Sequence, residues 1–466
     1  MPDWFYRTVS QPVLFRLPTV TARDLALGFM GRLARMPLGS LIIDFMGHMR
    51  ADPRLRCTHQ GVEFPTAVGL GPGLDAAAVA LPALARFGFG FLEIGPVTLN
   101  GCAAGPPLER RIDQEAIWQA DPRERLSLAA VAPRLAEASR LGLPLIARLG
   151  SAAGASAEQS AEEIAKLVHE LAPYVHVFSL LTLRCAVADD WSIERWHTHV
   201  RSVLDAAQTA RREVFWCVPL DVDAAAAYRF IDTALSVAPA GLLGEGSVGG
   251  NTGGRLIGVP ARGPALARVR ELRQRHGAGL FLIACGGVHE PEDALALRNA
   301  GADLVEVDSG LVYSGPGLPK RINDALLFEA TRDTAPTPHA AIPGRPVGND
   351  TAWPAEMSWF WTFLMGAGML FGSVLALAIA ATRVVLPYDE AYLGLARDNL
   401  AKVNPRLLAF MAHDRVSLAG TMVAIGVMYV GLSLFGIRRG LHWAQIAVFV
   451  SAFTGFATFF LFLVRV

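Results

Sequence analysis

The chain lacks net charge: 42 Lys+Arg stand against 42 Asp+Glu in 466 residues, and nothing in that balance suggests a nucleic-acid surface. It is poor in cysteine, and Cys57, Cys102, Cys185, Cys217 and Cys285 are an odd number at unrelated spacings. That pattern excludes a disulfide framework and offers no metal-ligand spacing, so the thiols read as those of a reducing compartment and no metal is expected. The N-terminus, Met1-Pro-Asp-Trp-Phe-Tyr-Arg, lacks a basic segment followed by an apolar core, so no secretory signal is expected. What the chain has in excess is apolar residues, 52% overall and concentrated in its last quarter.

In that quarter, residues 357–382, 416–437 and 441–464 are uncharged apolar stretches, each beyond the roughly 20 residues that cross a bilayer. They predict a membrane domain over 357–466 with a bundle of three transmembrane helices and the lipid bilayer as partner. Trp353, Trp359, Trp361 and Trp443 suit interfacial depth. The loop Arg383–Arg415 is charged, with a helical middle around Glu390–Lys402, and His413-Asp414-Arg415 opens the second span. Ionisable residues at that depth mark either a functional contact or ordinary flanking charge. The expected placement is multi-pass in the cytoplasmic (inner) membrane, with the folded N-terminal part on the cytoplasmic side. Arg438-Arg439 favours this orientation and the five basic residues of the Arg383–Arg415 loop oppose it, so charge bias leaves the two orientations balanced. Residues 331–356, with Pro336, Pro338, Pro343, Pro346 and Pro354, read as a linker.

Between Thr66 and Gly310, eight short apolar runs are centred near Val68, Leu92, Ile146, Val177, Phe215, Leu242, Leu282 and Val305, each followed by a helix-like stretch. Helices are expected over Asp75–Phe87, Ala157–Leu171 and Glu292–Ala300. Eight such units over 59–330 predict an α/β fold, the (β/α)8 TIM barrel. Residues 1–58 form an N-terminal helical cap, with Leu25, Phe29 and Leu33 at helical spacing and Arg7, Arg16, Arg23, Arg32 and Arg35 among them. They read equally as an interfacial amphipathic element or as a cap packed on the barrel. The runs near Leu282 and Val305 end in Gly286-Gly287 and Ser309-Gly310, which would bring bare amides to the sheet edge and hold a phosphorylated small-molecule ligand. One such Gly-Gly alone is also what any strand-to-helix turn favours; two at barrel spacing point to phosphate.

From Trp4 to Leu327 these pieces resemble class 2 (quinone-linked) dihydroorotate dehydrogenase. The motifs are Gly61–Pro65, Gly69–Asp75, Gly88–Thr98, Asp221, Gly254, Gly258 and the two glycine turns. The resemblance implies FMN in the barrel mouth, held through Gly254, Gly286, Gly287, Ser309 and Gly310, and electrons passed to quinone under the N-terminal helices. The residues that carry the chemistry depart from the pattern. Ala76 and Cys217 stand where the family has flavin-contacting lysines, and Pro96 where it has a flavin-contacting Thr. Gly246 replaces an Asn, Ile117–Leu128 has lost the substrate-loop asparagines, and Leu181 stands at the serine base. A hydrocarbon accepts no proton. Ser179 or Thr182 would serve as base only after a shift of register.

No catalytic residue is therefore assigned. The leading expectation is a membrane-anchored, dihydroorotate-dehydrogenase-like protein whose barrel can hold FMN or another phosphorylated ligand without oxidising dihydroorotate. One alternative is an FMN-dependent, quinone-linked oxidoreductase with its pocket rebuilt around Arg148, Arg184, His176 and Glu245. The other is a membrane scaffold or sensor.

Overall fold

A computed structural model describes residues 6–47, 51–102, 108–120, 125–250, 254–332, 358–439 and 441–463. The chain divides into two compact units, Met1–His339 and Ala340–Val466. The break falls in the stretch read as a linker, most of which lies outside the described residues.

The first unit is built on eight parallel strands: β1 (Val68–Leu70), β2 (Phe91–Thr98), β3 (Leu145–Leu149), β4 (Val177–Leu180), β5 (Glu213–Val218), β6 (Gly241–Gly244), β7 (Leu282–Cys285) and β8 (Leu304–Val307). Each pairs with its sequence neighbours, and β8 returns to β1 with Val305 opposite Val68, closing the ring. All eight expected strands are present. They are buried on both faces, by helices outside and by side chains filling the barrel inside, which is why they read as buried runs rather than alternating patterns. The helix Ala157–Leu171 starts where Ser156 and Gln159 form a reciprocal cap, and Pro291–Asn299 matches the third expected helix within a residue. Asp75–Phe87 does not form the expected helix. Ala78 adopts φ 58°, Asp75 accepts from the Val79 and Ala80 amides, and only Leu81–Leu84 is helical.

Two excursions from the barrel meet above its mouth. Glu109–Arg111 and Ala116–Gln119, inserted after β2, pair with Arg255–Gly258 and Ser247–Gly249, inserted after β6, in a four-stranded antiparallel sheet. The N-terminal segment Tyr6–Phe15 and the helices Thr19–Arg35 and Gly39–Gly47 form the cap. Its polar groups face the barrel: Tyr6 donates to the Val312 carbonyl at 2.7 Å, Arg7 pairs with Glu290 at 2.9 Å, and Arg35 grips both Glu137 oxygens at 3.0 and 2.9 Å. Leu38 and Leu41 are turned outward, 70% and 60% exposed. The cap is thus both packed on the barrel and apolar on its outer side.

In the second unit Ser358–Thr382 and the continuous helical stretch Leu407–Gly436 are long and apolar enough to cross a membrane. The third stretch is a helix, His442–Leu463, but its apolar run covers the shorter Trp443–Ala457. Gly366 and Gly426 let the first two helices approach closely, since a Cβ on Gly366 would lie 3.0 Å from the Gly426 carbonyl oxygen. Arg415 pairs with Asp389 of the intervening helix Pro387–Leu393, so the charge at the head of the second stretch is internally neutralised.

Candidate functional site

Parallel strands place their carboxyl ends on one rim, where ligand chemistry gathers in this fold. Beneath that rim the interior is polar. The Arg148 guanidinium (β3) is fully buried and forks onto both Glu93 oxygens (β2) at 3.0 and 2.7 Å, while Ser179 (β4) donates to the same carboxylate. Glu306 (β8) reaches the guanidinium only at 3.9 Å, and burial together with the Glu93 charge pushes its carboxyl well above the usual range. Glu306 is therefore the neutral partner, and one cation serves one carboxylate. Cys217 (β5) and Cys285 (β7) flank Arg148; burial pushes the Cys217 thiol up to about 12 and the Cys285 thiol well above its ordinary value. Both thiols are neutral.

At the rim, Arg184 binds Glu245 at 2.6 Å and Asp221 at 2.7 Å, and Arg255 reaches Asp221 at 3.1 Å and the Ser247 hydroxyl at 2.8 Å. Burial alone would raise the Asp221 carboxyl, but the two guanidinium partners outweigh it and hold it at about 2. Two arginines thus answer two carboxylates within the chain. His176 takes no part: it precedes β4, at the opposite end of the barrel, where its Nδ1 meets the Leu145 amide at 3.2 Å.

The two glycine turns do come together. Gly287 has φ 69°, and a Cβ there would lie 2.8 Å from Arg262 Cβ and 2.9 Å from the Gly258 carbonyl oxygen. A Cβ on Gly310 would lie 2.1 Å from the Val288 carbonyl oxygen, so the β7 and β8 turns abut. Among the described residues neither the Gly287 nor the Gly310 amide donates to a protein acceptor. Gly258 joins this cradle. Gly254 instead lies just before the strand Arg255–Gly258, packed on Trp118 and the Gln119 carbonyl.

Beside the cradle runs a relay that the sequence did not suggest. The Ser309 hydroxyl meets His289 Nε2 at 2.9 Å, and His289 Nδ1 meets Glu115 Oε2 at 3.1 Å. Tyr313 stacks on the imidazole at 5.4 Å and 16°. Burial lowers the His289 pKa against the opposing pull of Glu115. Glu115 sits at φ 44° on the turn entering Ala116–Gln119, a position 174 residues from its partner, so spacing alone could not find it.

A cavity of about 580 Å³ lies between cap and rim, lined by Leu14, Phe15, Ala26, Phe29 and Met30 on one side and by Gly73, Asp308 and Ser309 on the other. Its walls are mostly apolar, with Arg23, Arg110 and Gln119 among the polar groups that also line it. The position read as the family's base, Leu181, is 9% exposed and lies 3.8 Å from a Cβ built on Gly150 at the end of β3. The two hydroxyls that a register shift would offer are unsuited to that role: Ser179 is bound to Glu93 inside the barrel and Thr182 is 1% exposed.

A family model for dihydroorotate dehydrogenase matches residues 231–328. The chain is 32% identical over 354 residues to the dihydroorotate dehydrogenase (quinone) of Chloroflexus aurantiacus, covering 69% of this chain and 96% of that relative. It is 32% identical over 349 residues to that of Deinococcus deserti, covering 69% and 94%. The crystal structure of dihydroorotate dehydrogenase from Eimeria tenella in complex with ferulenol superposes with a TM-score of 0.58 at 21% identity, over 69% of this chain and 96% of that one.

Proposed function

Because the chain belongs to the dihydroorotate dehydrogenase family, in its quinone-linked class, we propose that it is a membrane-anchored member that has lost dihydroorotate oxidation while keeping a phosphate-holding mouth. The reading is carried by an amide cradle at Gly287 and Gly310 with no acceptor among the described residues, taken together with Leu181 at the position that the resemblance assigns to the base. Backbone amides hold a phosphate without any particular side chain, whereas removing a proton from carbon needs a placed acceptor.

The residues fit one end of FMN and not the other. Gly286, Gly287, Ser309 and Gly310, with Gly258 beside them, would hold the phosphate, and Gly254 stands apart against Trp118. Around the ring, the positions that the resemblance assigns to lysines are Ala76 and the neutral Cys217, and the nearby Arg148 is committed to Glu93. None of these three positions offers a cation to offset charge on a reduced ring. The ring end therefore supports no redox step.

The apolar cavity under the cap supports quinone, or another apolar molecule, as a partner. The boundaries supported are a cap over 1–58, a barrel over 59–330, a linker over 331–356 and a membrane domain over 357–466. This reading counts His442–Leu463 as a third span and keeps the barrel on the cytoplasmic side of the inner membrane.

The test is purification of the full chain in detergent, with its visible absorbance and its dihydroorotate-dependent quinone reduction measured. The expected rate lies at least ~100-fold below that of an active relative, the loss of one general base. Robust dihydroorotate oxidation ends the reading.

A further inference from the structure

Three residues from distant parts of the chain, Glu115, His289 and Ser309, form a hydroxyl–imidazole–carboxylate relay at one wall of the cavity. Neither the barrel scaffold nor a phosphate grip requires an imidazole on that hydroxyl. A carboxylate on Nδ1 fixes the ring proton there, so Nε2 is left as the acceptor and the Ser309 hydroxyl donates to it. The ring is held by the Tyr313 stack and by burial to 2% exposure. The structure maintains Glu115 in the left-handed region, which costs a non-glycine residue of order 1 kcal/mol and gathers at functional sites. Nucleophile, base and orienter stand in the order and at the separations of an activated serine. The Gly310 amide, on the residue after the serine, has no acceptor among the described residues and is the kind of donor that stabilises a developing oxyanion.

We propose that Ser309, His289 and Glu115 form a serine acyl-transfer site, whose substrate is a carboxylic ester with a long apolar acyl chain lying in the cavity beneath the cap. Ser309 Oγ adds to the acyl carbonyl while His289 Nε2 takes its proton. The Gly310 amide meets the resulting oxyanion. Collapse of the adduct breaks the acyl C–O bond, and His289 returns the proton to the departing alcohol. Water then repeats the sequence on the acyl-serine, releasing the fatty acid and restoring the hydroxyl. The substrate class follows from the walls, which are mostly apolar: Leu14, Phe15, Ala26, Phe29 and Met30 suit an acyl chain, and the polar lining is confined to groups such as Arg23, Arg110 and Gln119.

The inference uses the same turn as the phosphate reading but not its ligand, and its assay reads a covalent adduct rather than flavin or dihydroorotate. The full chain, purified in detergent, is incubated with a long-chain alkyl fluorophosphonate, and its flavin absorbance is recorded separately. Intact mass and peptide mapping then follow the adduct. One adduct is expected, on Ser309, absent from Ser309→Ala and formed at least ~100-fold more slowly in His289→Gln. Glu115→Gln slows it as well, and a short-chain probe reacts more slowly than the long-chain one. No adduct in the parent protein, an adduct on another residue, or parent-like labelling of His289→Gln overturns the proposal. Because the parent protein's own adduct is mapped, the test does not depend on any variant folding.

Discussion

Arg148→Met should be among the most damaging single changes in the barrel, and the reason lies in its geometry. The substitution keeps the length of the side chain but removes two charge-assisted bonds, at 3.0 and 2.7 Å, from Glu93, a carboxylate with no side-chain exposure. Removing one partner of a buried pair leaves the other charge uncompensated, which costs about 3–5 kcal/mol. At roughly 2 °C per kcal/mol for a domain of this size, the melting temperature should fall by about 6–10 °C. Fluorescence reports it directly, since Trp196 and Trp216 are fully buried in the barrel unit. Glu306→Gln supplies the contrast. Its folded carboxyl is raised, so the parent protein takes up a proton there on folding and loses stability as pH climbs above the unfolded carboxyl pKa of about 4.3. The amide removes that penalty, so the variant should match or exceed the parent at pH 7, and the advantage should vanish near pH 4. An Arg148→Met melt within about 2 °C of the parent, or a Glu306→Gln loss as large as that of Arg148→Met, would refute the assignment of the negative charge to Glu93 and none to Glu306.

The rim cluster sets an acid limit. Asp221 is held at about 2 against an unfolded value near 3.9, so its contribution, about 1–2 kcal/mol after screening, is complete above pH 4 and lost between pH 4 and 2. Asp221→Asn should flatten the acid limb of a pH-dependent melt. Gly287→Ala places a Cβ 2.8 Å from Arg262 Cβ at φ 69° and should cost about 2 kcal/mol, with any bound phosphate ligand weakened in parallel, as equilibrium dialysis would show. The full chain should stay with inner-membrane vesicles through an alkaline carbonate wash, with the barrel open to protease only from the cytoplasmic side; release into the wash would contradict three-span anchoring.

The barrel was legible because each parallel strand is buried on both faces and so appears as a bounded apolar run, from Val68 to Val307. The glycine turns were legible because positive φ at Gly286 and Gly287, and the close approach of the Val288 carbonyl at Gly310, leave few alternatives to glycine. Legibility failed where long-range contact overrides local pattern. The Ala-rich run after Asp75 looks helical, but the Asp75 carboxylate takes the Val79 and Ala80 amides and Pro82 delays the first helical turn. His176 and Arg148 looked like pocket residues because both are polar beside a strand. One lies at the far end, and the other is sealed into an ion pair whose partner, Glu93, is 55 residues away. The relay through His289 joins loops 174 and 20 residues apart, a closeness no spacing announces.

The hydrocarbon walls between cap and rim also set the terms of access. A solute that reaches Ser309 along Phe29 and Leu14 must first shed its hydration shell, so its local concentration follows its oil–water partition coefficient rather than its aqueous abundance. Sparingly soluble molecules are enriched at that hydroxyl, and well-hydrated metabolites are turned away before any hydrogen bond can select among them.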